Sequence, residues 1–308
     1  MSSAKPTVFI HGKRNQWVSM KVAEHSLRRN SKYPDFFGVR SIFLEDYPFL
    51  CDYERRVFKK DRRAARWRKS DPQSFVLLRF LPPQLMNYEN KAVVIDPDIF
   101  AVGDIYELLS RDMKGKAILC YNGETVQTAS KGIRQDHLTS VMLLDCARLK
   151  HWQWENQVAE MFRFKRYYNR WMVLGYEPPE SIGPLEEEWN HRDILTEHTK
   201  LLHNTHRSTQ PWMTGLPYGR TDATYEDVEK IWGFIPKPWW KGMRCFVRGE
   251  GYLPYGRHEK HPDPAQEKFF FSLLKECVQT GFIPEKKLRK EVQKKHVRQD
   301  IFQVLDTL

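Results

Sequence analysis

No Cys-x-x-Cys occurs in this chain, no apolar run approaches the roughly 18 residues of a membrane span, no apolar signal segment opens it, and no repeat or low-complexity tract interrupts it. The five cysteines, Cys51, Cys120, Cys146, Cys245 and Cys277, are scattered and odd in number. Neither a disulfide framework nor a zinc site is therefore expected, and a reducing compartment fits best. These absences predict a soluble cytoplasmic protein, peripheral to a membrane at most. Acidic residues are also in deficit: 50 Lys and Arg stand against 39 Asp and Glu, a formal charge of +11. Such a surface attracts anions, whether nucleotides, acidic glycans, lipid headgroups or nucleic acid, and charge alone does not choose among them. At 308 residues the chain can bury one large α/β core with extensions.

What is present is organised around the stretch from Lys91 to Ile105. Ala92–Val93–Val94–Ile95 reads as a buried strand, stopped by Pro97, so that Asp96 and Asp98 arrive at its carboxyl end. Side chains two apart on an extended backbone point to the same side. Paired carboxylates there suit a divalent cation that bridges a diphosphate, since they are hard oxygen ligands that leave coordination positions open. A plain turn reading is also open, because Asp and Pro are favoured turn residues.

The setting of the triplet resembles a known family. Arg79 with Phe80–Leu81–Pro82, the strand to Ile95, Asp96–Pro97–Asp98, Gly103–Asp104–Ile105 and Glu107–Leu108 together look like the core of the family 8 glycosyltransferases. The fold this implies is α/β of the GT-A nucleotide-diphospho-sugar transferase type, a mixed, mostly parallel sheet flanked by helices. Residues 1–215 would form the catalytic domain. Residues 216–308 would form an irregular and helical extension packed on it, toward the acceptor or toward a membrane or partner surface. Arg79 would then hold the donor or a ligand aspartate.

Thr7 to His11 reads as a strand broken at Gly12, with a helix from Gln16 to Arg29, so His11, Lys13 and Asn15 are candidates for base, ribose or phosphate contacts beyond the strand end. Val39 to Leu44 reads as a second strand. Asp52 to Lys69 is the most basic stretch and is expected as a helix with Val57, Ala64 and Trp67 among its charges. Its face is either solvated or meets an anionic acceptor, a membrane surface or nucleic acid. Ser74 to Leu81 is an apolar helical turn that carries Arg79.

Ala117 to Tyr121 and Ser140 to Leu144 read as further strands. The second is similar to a family segment beside the donor sugar, but Leu138 stands where the family has asparagine and Ser140 where it has glycine. Asp136 and His137 are near enough to take over those contacts, and Asp136 is carried as a catalytic candidate. The aromatic stretch from Leu149 to Tyr176 suits core packing or stacking on sugar rings. Trp189–Asn190 resembles a Trp-Asn segment whose Asn lines the donor pocket.

Lys200 to Trp212 resembles the late strand and loop that complete the family's metal site, which implies His203 as the third ligand and favours manganese, or magnesium, as the cation. Here the loop is one residue longer, its glycine is absent, and Gln210 stands where a lysine is customary. Arg207 is the expected replacement cation against the leaving diphosphate.

Beyond Pro217, the aromatic residues Trp232, Trp239, Trp240 and Tyr252 are candidates to select an acceptor. A helix is expected from Pro264 to Gly281 and a basic amphipathic helix from Pro284 to the end, docked on the domain or lying on anionic membrane.

The resulting expectation is a manganese- or magnesium-dependent glycosyltransferase that moves a sugar from a nucleoside diphosphate sugar to a hydroxyl of a glycan, lipid-linked or protein acceptor, with retention implied by the family. A nucleotidyltransferase of the same fold, or a noncatalytic basic protein that binds nucleic acid or glycan, are the alternatives. The expected site comprises Asp96, Asp98 and His203 for metal, His11, Lys13, Asn15, Arg79, Asp96, Asn190 and Gln210 for donor, and Asp136 and Arg207 for catalysis.

Overall fold

The computed structural model describes residues 5–60, 63–128, 132–217, 230–231, 235–236, 243 and 256–308, with backbone alone at 63, 124–128, 132–136, 230–231 and 235–236. Trp232, Trp239, Trp240 and Tyr252 lie outside the described residues.

The centre is a six-stranded sheet. Its strands are β1 (Thr7–Gly12), β2 (Gly38–Phe43), β5 (Lys91–Ile95), β7 (Ile118–Thr128), β8 (Gly132–Asp145) and β9 (Ile182–Pro184), in the order β2-β1-β5-β8-β7-β9. β1 runs parallel to both β2 and β5, β8 is antiparallel to β5 and β7, and β7 is parallel to β9, giving the mixed, mostly parallel sheet that was expected. Alternation along the strands feeds two cores. Val8, Ile10, Val93 and Ile95 face one layer, which contains helix α1 (Trp17–Arg29), while Phe9, Ala92 and Val94 face the other, built from Phe75 to Leu81, Trp152, Trp154 and Trp171. Met142 and Leu144 are buried in the second layer, as their alternation predicts.

The helix α1 buries Val18, Val22 and Ser26 on one face. Short helices follow at α2 (Pro82–Leu85), α3 (Ile105–Leu109), α4 (Trp154–Phe162) and α5 (Tyr168–Met172). After residue 256 come α6 (Pro264–Gln279), α7 (Glu285–Gln293) and α8 (Ile301–Asp306). Phe270, Phe271, Leu274, Leu288 and Ile301 from this part share one core with Val8 and Ile95 of the sheet. The C-terminal helices therefore bury apolar surface against the sheet layer, which at roughly 25 cal/mol per Å² is their main attachment. No helix among the described residues is long and apolar enough to cross a membrane.

Two elements differ from expectation. The basic stretch is not a helix: Pro48–Tyr53 is a 3₁₀ turn, and β3 (Val57–Lys60) pairs with β4 (Arg63–Arg66) as a hairpin. The reason is a period of two: Phe58, Ala65 and Trp67 are buried while Lys59, Arg66 and Arg68 are exposed. Phe58 and Trp67 pack edge-on against Phe162, fixing the hairpin on α4. The basic C-terminal helix is also not continuous, because α7 ends at Gln293 with Lys294 as its cap and Lys295 takes a left-handed φ of 58° before α8. Glu291, held by Lys287, Lys294 and His296, draws that turn inward.

Candidate functional site

Strand register assembles the site. β5 stops at Ile95, paired with Ile10 of β1 on one side and with Val141 of β8 on the other. Asp96 is therefore flanked by His11 and by Ser140, whose carbonyl accepts its backbone N–H at 3.2 Å. After Asp98 the chain enters β6 (Ile99–Ala101), which pairs antiparallel with β11 (Leu201–His203), and the register sets His203 opposite Ile99. β11 also lies parallel to β10 (His191–Arg192). A histidine more than a hundred residues downstream is thus brought to Asp98, and the N–H of Asn204 caps the Asp98 carbonyl at 3.0 Å.

Asp96, Asp98 and His203 each offer a ligand atom, and these atoms lie within 4.8 Å of one another. Their side chains are 14, 15 and 8 % exposed, so they open into a cavity while sitting mostly inside the protein. That cavity is about 530 Å³ and is also lined by Asn15, Arg79, Arg207 and Gln210.

The shell around the carboxylates is specific. The Arg79 guanidinium donates to both oxygens of Asp96 at 2.7 and 2.9 Å and to Thr139 Oγ1 at 2.7 Å, and Thr139 in turn donates to the Met172 carbonyl at 2.7 Å. His11 Nε2 lies 3.0 Å from Asp96 Oδ1. Burial would push the Asp96 carboxyl up, but Arg79, His11 and His203 outweigh it and hold the group ionised, well below the usual carboxylate range. Burial pushes the His11 imidazole down against the pull of Asp96, so the ring is neutral at neutral pH. For His203 burial also opposes the charged form, but the carboxylates of Asp98, Asp96 and Asp193 prevail and raise it above the ordinary value.

Gln210 Nε2 donates to Asp98 Oδ2 at 2.7 Å and to the Asn204 carbonyl at 3.1 Å. The other oxygen, Asp98 Oδ1, is buried without a hydrogen-bond partner and sits 3.4 Å from His203 Nε2. A buried carboxylate oxygen left without a donor is costly, and a cation at this point would satisfy it. On the far side of the ring, His203 Nδ1 donates to Asn190 Oδ1 at 2.9 Å, and Asn190 Nδ2 donates to Ser140 Oγ at 3.0 Å. This chain fixes the tautomer, leaving Nε2 as the ligand atom facing the carboxylates. Two carboxylates and one imidazole make a donor set suited to a divalent cation such as manganese or magnesium, with positions left open.

The expected residues thus divide. Asn15, Arg79, Asp96, Asp98, His203, Arg207 and Gln210 meet at one cavity. His11 is fully buried behind Asp96, and Lys13 points away, its Nζ donating to the carbonyls of Lys69 at 2.7 Å and Asp71 at 3.2 Å. Asn190 is 1 % exposed with its amide used on both sides, so it orients His203 from behind instead of lining the pocket. The side chain of Asp136 lies outside the described residues. Tyr168, from the aromatic stretch expected to pack or to stack on sugar, lines the cavity, whereas Thr139, His258 and Lys295 were not foreseen as site residues: Thr139 anchors Arg79, and the other two line the cavity. None carries a local sequence signal, because only the tertiary register brings them in.

If His203 ligates a divalent cation, Asn190→Ala is expected to weaken that cation's binding by about 10- to 100-fold, the usual cost of losing the outer partner of a ligating histidine. Titration calorimetry reads it, and unchanged affinity would mean that the ring is held by something else.

No protein-family model and no curated protein matches the chain. Similar solved structures include mouse xyloside xylosyltransferase 1 in its apo form, at 15% identity over 66% of this chain and 98% of that one, with a TM-score of 0.41. The galactosyltransferase LgtC in complex with donor and acceptor sugar analogues is similar at 11% identity over 67% of this chain and 89% of that one, with a TM-score of 0.45. The glycosyltransferase GlyE of Streptococcus pneumoniae TIGR4 is similar at 14% identity over 80% of this chain and 64% of that one, with a TM-score of 0.44.

Proposed function

We propose that the protein is a metal-dependent glycosyltransferase that moves a sugar from a nucleoside diphosphate sugar to an acceptor hydroxyl, with retention of anomeric configuration. The observation that carries this reading is the cluster of Asp96, Asp98 and His203 at the open end of a buried strand, with Asp98 Oδ1 buried, without a hydrogen-bond partner and 3.4 Å from His203 Nε2, beside a cavity about 530 Å³ in volume. A cavity of that size is in the range that accepts a nucleotide-sized ligand.

Asp96, Asp98 and His203 would hold manganese or magnesium, which supplies positive charge to the diphosphate as it leaves. Gln210 and Asn190 aim Asp98 and His203, so their ligand atoms need no rearrangement when the donor enters. Arg79 keeps Asp96 ionised, and Arg207 adds charge at the cavity wall. Asp136 is the candidate for contact with the reacting sugar.

The test is thermal stability against a panel of nucleoside diphosphates and nucleotide sugars, each with and without manganese. One donor is expected to raise Tm only when the metal is present, because a ligand that binds the native state stabilises it. With that donor, release of nucleoside diphosphate is expected, and NMR of the product reads the anomeric configuration. Release of pyrophosphate would instead mark a nucleotidyltransferase. Absence of any metal-dependent shift would overturn the reading in favour of a noncatalytic binder.

A further inference from the structure

The cavity is bounded not only by the strand ends but also by the turn after α7, where Lys295 and His296 line it. That turn is closed by two backbone bonds, His296 N–H to the Glu291 carbonyl at 3.0 Å and Lys295 N–H to the Val292 carbonyl at 2.9 Å. The pair of bonds leaves Lys295 in the left-handed position after the helix cap, with φ 58°, where glycine is the residue of choice. His296 is anchored by its Nδ1, 2.6 Å from Glu291 Oε2.

The turn is strapped to the metal loop. The Arg298 backbone N–H donates to the Trp212 carbonyl at 2.8 Å, and its guanidinium reaches Glu267 at 2.9 Å and the oxygens of Asp300 at 2.6 and 2.7 Å. Trp212 lies two residues beyond Gln210, which itself contacts Asp98. The position of Lys295 is therefore set by the same loop that aims a metal ligand.

Charge completes the case. Lys287 and Lys294 are paired with Glu291, whereas Lys295 is exposed and forms no ion pair among the described residues. Gln210, also at the cavity wall, is uncharged, and its amide is committed to Asp98 and Asn204. A donor diphosphate entering this cavity carries charge that a divalent cation only partly offsets, and a flexible ammonium at the wall is a suitable point-charge partner for phosphate. We propose that the turn after α7 is part of the donor site and that Lys295 is a second cation, beside Arg207, meeting the donor's diphosphate, a role that rests on the glycosyltransferase reading above.

The experiment measures binding of UDP, GDP, CDP and ADP, and of the matching nucleosides, to the full chain with manganese by titration calorimetry. The proteins compared are the native chain, Lys295→Ala, Lys295→Gly, Lys295→Arg and Lys290→Ala, the last removing an exposed charge on α7 that does not line the cavity. Loss of a charge-assisted phosphate contact predicts diphosphate binding weakened about tenfold or more in Lys295→Ala and Lys295→Gly, with nucleoside binding unchanged. Lys295→Arg is expected to keep most of the affinity and Lys290→Ala all of it. Lys295→Gly should also raise Tm without ligand, because glycine tolerates the left-handed turn, so that loss of binding cannot be ascribed to unfolding. Native-like diphosphate affinity in Lys295→Ala would overturn this inference and leave the functional reading standing. Failure of the native chain to bind any diphosphate would overturn both.

Discussion

Asp98→Asn is expected to abolish the metal-dependent Tm shift with donor and to lower turnover by more than about a hundredfold, beyond the 10- to 100-fold cost of losing an outer partner of a ligand. Gln210 explains why an isosteric change does so much. Its Nε2 donates to Asp98 Oδ2, so a carboxamide at position 98 must turn its oxygen to Gln210 and its amino group toward His203 Nε2. A donor group then occupies the point where a cation needs an acceptor. The same change removes a buried carboxylate oxygen that has no hydrogen-bond partner but also the charge that raises the His203 pKa, so the two effects oppose and the metal-free variant should stay folded with a Tm close to the native one. Calorimetric Tm in chelator, paired with turnover in manganese, checks both halves. A variant that retains metal-dependent turnover would remove Asp98 from the site, and one that unfolds without metal would make its role structural.

How far the site could be read from the sequence depended on how local each cause was. Asp96 and Asp98 were readable because a buried strand stopped by Pro97 fixes both position and side, and nothing distant is needed. His203 was readable through its order before Pro211–Trp212, and the β6–β11 register then sets it opposite Ile99. Asn190 was placed in the right neighbourhood but on the wrong side of the histidine, since which way an amide faces depends on Ser140, fifty residues away. His11 was read as a ligand contact because the strand was expected to break at Gly12 just after it, but the parallel pairing with β5 puts Asp96 between it and the cavity. The hairpin at β3 and β4 was missed because dense charge hid the alternation of Phe58, Ala65 and Trp67. Lys295 had no signal at all among the many lysines of the C-terminal stretch; its turn exists because Glu291 is buried and gathers Lys287, Lys294 and His296 around it.

Arg79→Met should cost about 3–5 kcal/mol of folding stability, the range for removing one member of a buried ion pair. The pair is well buried, at 10 and 14 % side-chain exposure, with one guanidinium nitrogen reaching both carboxylate oxygens, so solvent screening does little to soften the loss. Without the guanidinium, Asp96 keeps His11, which burial holds neutral at neutral pH, and the more distant His203 as its partners. The pH dependence has a definite sign. In the native chain the Asp96 pKa is held below its unfolded value, so its contribution is complete above the unfolded pKa and is lost as pH falls through the folded one. In Arg79→Met the depression shrinks to what His11 and His203 supply, and acid neutralises the buried charge, by protonating Asp96 or by charging His11 beside it. The stability gap between the two proteins should therefore narrow as pH is lowered from neutrality in metal-free buffer. Arg79→Met combined with Asp96→Asn should recover most of the loss, because the cost lies in the unpaired carboxylate and not in the missing arginine. A gap that stays constant with pH, and is unrelieved by Asp96→Asn, would mean that Arg79 acts through Thr139 and the packing around Met172, leaving the charge state of Asp96 to other groups.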